Sequence, residues 1–485
     1  MKYAKSGIAV IMALILLLSL AGCGGKDSKG KTTQSVSSSS DVRLPYSRED
    51  GVNPFTAQSL LNQPIMPLLY EGLYYVDSTY KAQPEIATDA SYNNGELTVS
   101  LDASHKFSDG TIISPMDVVY SFQKAKKSVY YGSALSMFSS AQASTGNSVT
   151  FKVASFSRYL TADLTFPVVE SGTAEKSRNP VGSGQYKYRV SDMGGLLEKN
   201  SECKTIRSAS DKGNQRHRGS INKIYLSNIS DTTTLMDSLA IGNFNAAFDD
   251  LAAGPPERVK VNYGQMPMND IIVVKLRTSG DLANAKLRQD ISALLDRSSL
   301  VETGLSGYGI PATLPYNPQW YAAKGIKVHK INTDTAELQV QKAFKGKTLS
   351  ILTDGDNPLK VELAEELQNQ LLDMGIKTTI ASPGFDSYAS AAAGDGYDFI
   401  IAEYKLPNDM NLMAAMPDKA NQKLYAKVLT GQISLEKYAE WYQKKMPFLT
   451  LAYRNGLLAY SKDLANKPVP LPGNPYADAY QWKVD

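Results

Sequence analysis

The sequence predicts an α/β protein, and a strand–helix–strand unit late in the chain carries that prediction. Residues 348–353 (Thr-Leu-Ser-Ile-Leu-Thr) and 376–380 (Ile-Lys-Thr-Thr-Ile) predict short strands. Between them, leucines stand at every fourth position of residues 359–371 and Gly375 follows, which predicts a helix with a glycine stop. Two strands joined by a helix favour parallel pairing with a right-handed crossover. Residues 397–404 predict a third strand.

Length and composition set the scale of this fold. The chain has 485 residues, which is enough for two or three lobes at typical domain sizes. Hydrophobic residues make up 42% and charged residues 20%, the ordinary balance of a soluble globular protein. The formal net charge of +3 is too near neutral to indicate nucleic acid as a partner.

The amino terminus has the pattern of an export signal. Lys2 and Lys5 precede an apolar run over residues 8–18, shorter than the roughly 20 residues needed to span a bilayer. The Leu-Ala-Gly-Cys sequence that ends at Cys23 resembles the lipobox of bacterial lipoproteins, in which the cysteine sulfur is acylated. We therefore predict a signal peptide over residues 1–22 and lipid attachment at Cys23. An ordinary signal peptide with a chance cysteine is the alternative.

Residues 23–41 predict a flexible tether. They are rich in Gly, Lys, Ser and Thr and contain nearly no core-forming residue, so they cannot offset their own ordering entropy. Two or more acyl chains on Cys23 would make a stable membrane anchor. The predicted location is extracytoplasmic, on the outer face of the cytoplasmic membrane or in the periplasm.

Residue types that perform catalysis are sparse and scattered. His105, His217 and His329 are far apart, and none has HExxH or Cys/His spacing. Cys203 is left alone once Cys23 carries lipid, and a bystander thiol is favoured over a nucleophile. No Gly-x-Ser-x-Gly elbow occurs. The sequence therefore predicts a binding protein and not an enzyme, with no cofactor, no catalytic residue and no metal ligand.

A strand, a turn and a helix follow one another over residues 97–122. Apolar and polar residues alternate over 97–102, which predicts a half-buried strand. Residues 107–110 (Phe-Ser-Asp-Gly) have the composition of a turn. Ser114 then stands as a helix N-cap, followed by Pro115 in the first turn and Asp117 at the third position.

This segment resembles the signature of family 5 extracellular solute-binding proteins, the oligopeptide-, dipeptide- and nickel-binding components of ABC importers. Residues 106–110 (Lys-Phe-Ser-Asp-Gly) and 117–119 (Asp-Val-Val) carry the likeness. Further motifs of the family follow the same order along the chain, at residues 53–55, 68–73, 84–87, 179–186, 287–297 and 307–312. Ser183 and Gln185 depart from the family pattern. The resemblance covers roughly residues 41–460 and is weakest after residue 400.

The resemblance implies a two-lobed periplasmic-binding-protein-like fold, with a hinge between the lobes and an extra small lobe on the first. The hinge strands are expected near residues 261–270 and 450–454. The expected division is lobe I at residues 42–75, 180–262 and 453–485, the small lobe at residues 76–179, and lobe II at residues 263–452.

The resemblance to family 5 also implies a function. The chain is expected to be a lipid-anchored receptor that closes its cleft on short peptides and delivers them to the transmembrane subunits of an ABC permease. Its expected partners are the peptide or another small solute, the permease, and the membrane through Cys23, and the receptor is expected to be a monomer. The alternatives are another solute, such as a metal chelate or an oligosaccharide, and a surface sensor or hydrolase.

One acid is expected to bind the ligand ammonium. In peptide-binding relatives this acid ends a strand, and Glu403 occupies the matching place after residues 399–402. Tyr404 follows it, and Asp409 is the reserve candidate. An unpaired charge in a closed cleft is costly, so the ammonium needs such a partner. A solvated acid at a strand end is the alternative for Glu403.

Four further residues are expected at the cleft because the corresponding regions reach it in relatives. Tyr316 and Trp320 lie in the loop after residues 307–312, and Phe55 and Gln58 follow the Asn-Pro turn. Trp320 could equally be a core residue. None of the histidines falls in a segment placed at the cleft, so the sequence favours peptide over free metal, which prefers nitrogen and sulfur ligands.

Overall fold

The structure is a computed structural model, and it describes residues 41–191, 194–204, 221–416 and 418–485. The predicted signal peptide, Cys23 and the tether up to residue 40 lie outside the described residues. The described residues belong to one compact unit. No helix in the described ranges has both the length and the apolar character needed to cross a membrane.

Two four-stranded sheets occupy the first half of the chain. The early elements are β1 Val42–Tyr46, α1 Met66–Leu69, β2 Tyr74–Val76, β3 Ala82–Pro84, β4 Ala87–Asn93, β5 Glu96–Leu101, α2 Pro115–Ala125, β6 Phe138–Ser144 and β7 Ser148–Val153. They continue with α3 Thr173–Lys176, β8 Tyr186–Ser191, β9 Gly194–Lys199, β10 Lys223–Asn228, α4 Leu235–Ala240 and β11 Ala246–Asp249. The sheet orders are β1-β10-β9-β8 and β4-β5-β7-β6, and β2 pairs β3.

A seven-stranded sheet organises the second half. Its elements are β12 Asn262–Leu276, α5 Ala285–Leu294, α6 Arg297–Glu302, β13 Gly309–Pro311, α7 Thr333–Phe344, β14 Thr348–Leu352, α8 Pro358–Asp373, β15 Lys377–Ala381, α9 Phe385–Ala392, β16 Phe399–Lys405, α10 Lys419–Leu429, α11 Leu435–Lys445 and β17 Phe448–Tyr460. The strand order is β11-β17-β12-β16-β14-β15, and β13 pairs β17.

The predicted strand–helix–strand unit is confirmed. β14 pairs β15 in parallel, with α8 between them in the chain, and β16 pairs β14 on its other side. The stripe of leucines on α8 is buried. The Asn357 side chain caps the helix by accepting from Lys360 N, and Gly375 follows the helix with a φ of +84°, a conformation that glycine adopts without strain.

The strand, turn and helix predicted over residues 97–122 are also confirmed. Ser114 is the N-cap of α2, and its side chain and backbone N–H both donate to the Asp117 carboxylate, at 2.7 and 2.9 Å. Gly110 closes the preceding turn with a φ of +96°. Phe122, on the apolar side of α2, is buried against Phe151 of the neighbouring sheet.

Two large hydrophobic cores support the two-lobed reading. Core I contains buried residues of the predicted lobe I and small lobe together, including Leu44, Val99, Phe151, Ile224 and Trp482. Core II contains buried residues of the predicted lobe II, including Ile272, Leu363, Ile401, Tyr425 and Leu451. The small lobe therefore has its own sheet but shares core I.

One long strand, β17, contributes residues to both cores, and β12 pairs antiparallel with it. β17 contributes Leu451 and Leu457 to core II and Leu458 and Tyr460 to core I. β12 pairs β17 along most of its length, and its register with β17 shifts between Pro267 and Asp270. Both strands coincide with the hinge positions predicted from the sequence, and the domain boundaries themselves remain a prediction.

Candidate functional site

The first part of the candidate site is a cluster of buried charges around Glu403, near the carboxyl end of β16. Arg454 Nε lies 2.5 Å from one Glu403 carboxylate oxygen, and Lys360 Nζ lies 3.3 Å from the other. The Glu403 side chain is only 13% exposed. Glu403 is therefore an ion-paired group in a shielded position and not a solvated acid, while a role in ligand binding remains a proposal.

Arg454 is the central cation of this charge cluster. β12 and β17 place Asp270 and Arg454 directly opposite each other, and Arg454 Nη2 lies 3.0 Å from Asp270 Oδ2. Lys360 also lies 3.6 Å from Asp354. The cluster thus holds three carboxylates (Asp270, Asp354 and Glu403) against two cations (Lys360 and Arg454).

Burial and neighbouring charges shift the pKa values of Asp270 and Arg454. Burial raises the pKa of the Asp270 carboxyl to about 6; the charge of Glu403 adds to the rise, and Arg454 opposes it. Burial lowers the pKa of Arg454, but the charges of Glu403 and Asp270 outweigh it, so that pKa lies above its usual value. One Asp270 oxygen, Oδ1, is buried without a hydrogen-bond partner among the described residues.

A segment that follows β11 covers the charge cluster. Arg454 Nη1 donates to the Asp250 carbonyl, and Asn357 Nδ2 donates to the Ala252 carbonyl at 2.9 Å. Leu251 is fully buried in core II with a φ of +59°, which is a strained conformation for a leucine. The predicted lobe I therefore reaches the charged end of the predicted lobe II through this segment.

The second part of the candidate site is a cavity of about 150 Å³, here called the tyrosine pocket. Tyrosines and prolines dominate its walls, and none of the described residues that line it is charged. Its lining residues are Met66, Pro67, Tyr70, Tyr74, Tyr75, Val76, Tyr131, Thr165, Pro167, Asn408, Leu471, Pro472, Gly473 and Asn474. The pocket is therefore built from predicted lobe I, the small lobe, the terminal segment and the loop after β16.

Asp409 lies beside the tyrosine pocket in a second acidic pair. Its backbone N–H donates to Asp163 Oδ1 at 3.1 Å. Burial raises the pKa of the Asp409 carboxyl to about 6. Hydrogen bonds from Asn411 N–H and the Ser157 side chain oppose this rise. Burial, and then the charge of Asp409, raise the pKa of Asp163 well above its usual value. The adjacent Asn408, and not Asp409, lines the pocket.

Phe55 and Gln58 lie close to one wall of the tyrosine pocket. The buried Phe55 ring meets the Tyr131 ring edge-on at 6.4 Å between centroids. Gln58 is exposed, and its carbonyl accepts a hydrogen bond from the Tyr130 hydroxyl at 2.9 Å. Both residues thus support the segment that supplies Tyr131, and neither lines the cavity itself.

Tyr316 and Trp320 lie in core II. The Tyr316 hydroxyl donates to the Leu435 carbonyl at 3.0 Å, and Trp320 is 1% exposed with its ring against Tyr159. Trp320 is therefore a core residue, the alternative that the sequence left open. Tyr404 is partly buried beside core II, and burial raises the pKa of its hydroxyl.

Sequence reasoning missed Arg454, Asp270 and Lys360. The available signal was a polar Arg454-Asn455 pair within β17, a strand in which every residue is buried. A buried charge needs a partner, so an arginine in such a strand indicates acids nearby. The segment at residues 471–474 carried no comparable signal, because its contribution to a pocket depends on distant parts of the chain.

His105 and Cys203 lie away from this site, where both contact Glu71, and His217 lies outside the described residues. His105 Nε2 lies 2.6 Å from Glu71 Oε2 in the interior, and Cys203 Sγ lies 3.8 Å from the other Glu71 oxygen. Within the described ranges, no group of three or more His, Cys, Asp or Glu residues is arranged to hold a metal ion.

Comparison with known proteins gives one family match. The family described as "Bacterial extracellular solute-binding proteins, family 5 Middle" matches residues 81–422. The oligopeptide-binding protein AppA of Bacillus subtilis (strain 168) is 22% identical in an alignment that covers 96% of each chain.

Solved structures share the fold at low sequence identity. The unliganded open form of MppA, a periplasmic murein tripeptide binding protein, matches with a TM-score of 0.71 at 16% identity, over 92% of this chain and 99% of that one. A nickel ABC transporter structure from Bacillus halodurans matches with a TM-score of 0.71 at 16% identity, over 92% and 100%. The two-lobed α/β fold class expected from the sequence is confirmed.

Proposed function

Because the chain belongs to family 5 of the bacterial extracellular solute-binding proteins, we propose that it captures short peptides and delivers them to an ABC importer. The observation that carries the peptide assignment is the pairing of a charge cluster with an uncharged pocket. A peptide offers charged ends, neutral backbone amides and side chains, so it needs both kinds of surface. The oligopeptide-binding relative is consistent with this assignment.

The two parts of the site lie within reach of one short peptide. Glu403 belongs to the charge cluster and Asn408 to the tyrosine pocket, and Asn408 is the fifth residue after Glu403. A chain segment of that length spans at most roughly 18 Å. An extended peptide of about five residues covers the same distance.

The charge cluster supplies partners of both signs. Glu403 and Asp270 offer carboxylate oxygens to a ligand ammonium, and Lys360 and Arg454 offer donors to a ligand carboxylate. A ligand charge that enters must exchange places with an existing partner, since each cation already pairs with an acid. Such an exchange keeps every buried charge paired, which burial demands.

Ligand capture would couple to movement of the lobes. The site draws on the segment after β11, the walls of the tyrosine pocket and the end of β16. β17 contributes to both cores, and β12 pairs with it. A ligand that contacts both lobes binds the closed form better than the open form and shifts the population toward closure. The importer would then recognise the closed receptor.

Lipid attachment at Cys23 completes the proposal. The Leu-Ala-Gly-Cys sequence supports acylation of Cys23, and the residues after it support a tether. Together they would hold the receptor outside the cytoplasm, on the outer face of the cytoplasmic membrane or in the periplasm, beside its permease. Mass spectrometry of the intact chain from producing cells, before and after lipase treatment, would detect the acyl mass.

Native mass spectrometry tests the ligand assignment. Protein purified from producing cells without denaturation is expected to carry a ladder of peptide masses, because a cleft that buries charge retains its ligand. A defined sugar or metal-chelate mass in place of peptides would contradict the proposal. Protein refolded from denaturant and incubated with tripeptides serves as the matched control for ligand acquired in the cell.

A further inference from the structure

Backbone hydrogen bonds fix one wall of the tyrosine pocket. Tyr74 N–H donates to the Leu164 carbonyl at 3.1 Å, and Val168 N–H donates to the Glu71 carbonyl at 2.8 Å. The short segment between Leu164 and Val168 therefore lies against the segment that supplies most of the tyrosines. A Cβ at Gly72 would lie 2.9 Å from the backbone of that short segment, so glycine permits the close approach.

Two further walls are held by hydrogen bonds of other kinds. The Tyr70 hydroxyl donates to the Val52 carbonyl at 2.7 Å. The backbone N–H groups of Asn408 and Asp409 bond to the Asp163 carboxylate, the second at 3.1 Å, and this holds the loop after β16 at the pocket. Fixed walls lose little conformational freedom when a ligand group enters, so ordering them opposes binding only weakly.

The tyrosine pocket offers no charge to a ligand. None of its described lining residues is charged. Burial raises the pKa of Tyr74 to about 12, with a further rise from Asp89, and burial raises the pKa of Tyr70 well above its usual value. These shifts indicate poorly solvated walls. A ligand carboxylate or ammonium would lose its hydration in the pocket without an opposite charge to compensate.

The size and the walls of the pocket suit one aromatic ring. Its volume is about 150 Å³, the size of an apolar protein cavity that takes up benzene, so it accommodates one side chain and not a whole peptide. Tyr70 and Tyr74 are buried, whereas Tyr75 and Tyr131 are partly exposed and present accessible ring surface. Aromatic rings attract one another in edge-on and offset arrangements, in addition to the area they bury.

We propose that the tyrosine pocket binds one aromatic side chain of the peptide, with Tyr75 and Tyr131 as specificity residues. The inference rests on the proposed function, since it assumes a peptide ligand. With the ligand ammonium at Glu403, an extended peptide of about five residues reaches Asn408 at the pocket, so the aromatic residue lies within that span. A ring seated there contacts both predicted lobes and therefore favours the closed form.

Calorimetric titration of the full chain with pentapeptides tests the inference. Alanine pentapeptides that carry phenylalanine at each position in turn are compared with leucine and glutamate peptides of the same design. At one position, the phenylalanine peptide is expected to bind at least about tenfold more tightly than the all-alanine peptide, because its ring leaves water. The leucine peptide is expected to gain less, and the glutamate peptide to gain nothing.

Substitution of the two accessible rings identifies the pocket as the source of this preference. Tyr75→Ala and Tyr131→Ala are each expected to lower the ratio of phenylalanine to alanine peptide affinity roughly two- to tenfold, the value of one ring contact. Tyr92→Ala is the matched control, because Tyr92 also stacks on a ring, that of Phe156, but does not line the pocket. Thermal unfolding checks that each variant is folded.

The outcomes distinguish the aromatic subsite from peptide binding itself. Equal affinity of the folded wild type for all the pentapeptides would overturn the aromatic subsite and leave peptide binding intact. A ratio that keeps its wild-type value in the folded pocket variants, or that falls equally in Tyr92→Ala, would do the same. Failure of the folded wild type to bind any pentapeptide would overturn the proposed function and this inference together.

Discussion

Two pairs of buried acids in this protein differ in their partners. Asp270 and Glu403 share the cations of the charge cluster, with Arg454 between them. Asp163 and Asp409 contact each other through a backbone N–H, and the structure describes no salt bridge to either. Each acid of the first pair contacts a cation whose place a ligand charge could take. The second pair has no cation partner in the described salt bridges, and burial raises the pKa of both its carboxyls.

The difference shows which acids suit ligand capture. A carboxylate that already pairs with a cation can release it to a ligand charge with little change in total burial. Asp163 and Asp409 have no such cation to release, and a backbone hydrogen bond joins their two segments. For this reason the proposal gives the ligand ammonium to the Glu403 side of the site, and assigns Asp409 to the contact with Asp163.

Removal of Arg454, the cation shared by the first pair, should have the largest effect on stability. Arg454→Met leaves Asp270 and Glu403 buried without their common partner, and should lower the free energy of unfolding by about 3–5 kcal/mol. Urea denaturation at pH 7 measures the loss. Arg189→Ala is the matched control, because its pair with Glu198 is well exposed and should contribute less than about 1 kcal/mol. Similar losses in the two variants would show that Arg454 stabilises no buried pair.

Substitution of Asp409 should change the pH dependence of stability. Its folded pKa of about 6 lies above the usual value, so the folded state holds more protons than the unfolded state between about pH 4 and 6. Wild-type stability attributable to Asp409 is therefore present at low pH and is lost as the pH rises through that window. Asp409→Asn should flatten this decline and gain about 1–3 kcal/mol at pH 7.

Denaturation profiles from pH 4 to 8 check this result. Asp418→Asn is a useful control, because Asp418 is an exposed acid at a helix N-cap nearby in the chain. A decline of unchanged steepness in Asp409→Asn would assign the pH dependence to other acids. Asp163→Asn should reproduce the flattening, since both carboxyls belong to one contact.

Neutralisation of Glu403 should test, through peptide affinity, whether the first pair binds the ligand ammonium. Glu403→Gln is expected to lower the affinity for free-amine peptides about tenfold, roughly the value of one charge-assisted contact. Its affinity for N-acetylated peptides is expected to fall less. Calorimetry with each peptide in both forms measures the ratio. Equal losses for the two forms would remove Glu403 from ammonium recognition.

Much of the fold could be predicted from local sequence. The stripe of leucines over residues 359–371 and the capping box at Ser114 each lie within one element and its cap, so a short window contains the whole pattern. The hinge positions came from the family resemblance, and they coincide with β12 and β17. The candidate site was less accessible, and Glu403 was placed without its partners.

By itself, the sequence determined the α/β class, the strand–helix–strand unit over residues 348–380, the strand, turn and helix over residues 97–122, the family resemblance, and the acid near the end of β16. Only the tertiary structure decided that Arg454 lies between Glu403 and Asp270, since 51 and 184 residues separate the partners. It also decided that Trp320 is buried in core II and that Tyr131 and Asn408 line one pocket. Periodicity and capping depend on neighbours within one or two turns, whereas ion pairs and pockets depend on which distant segments the fold brings together.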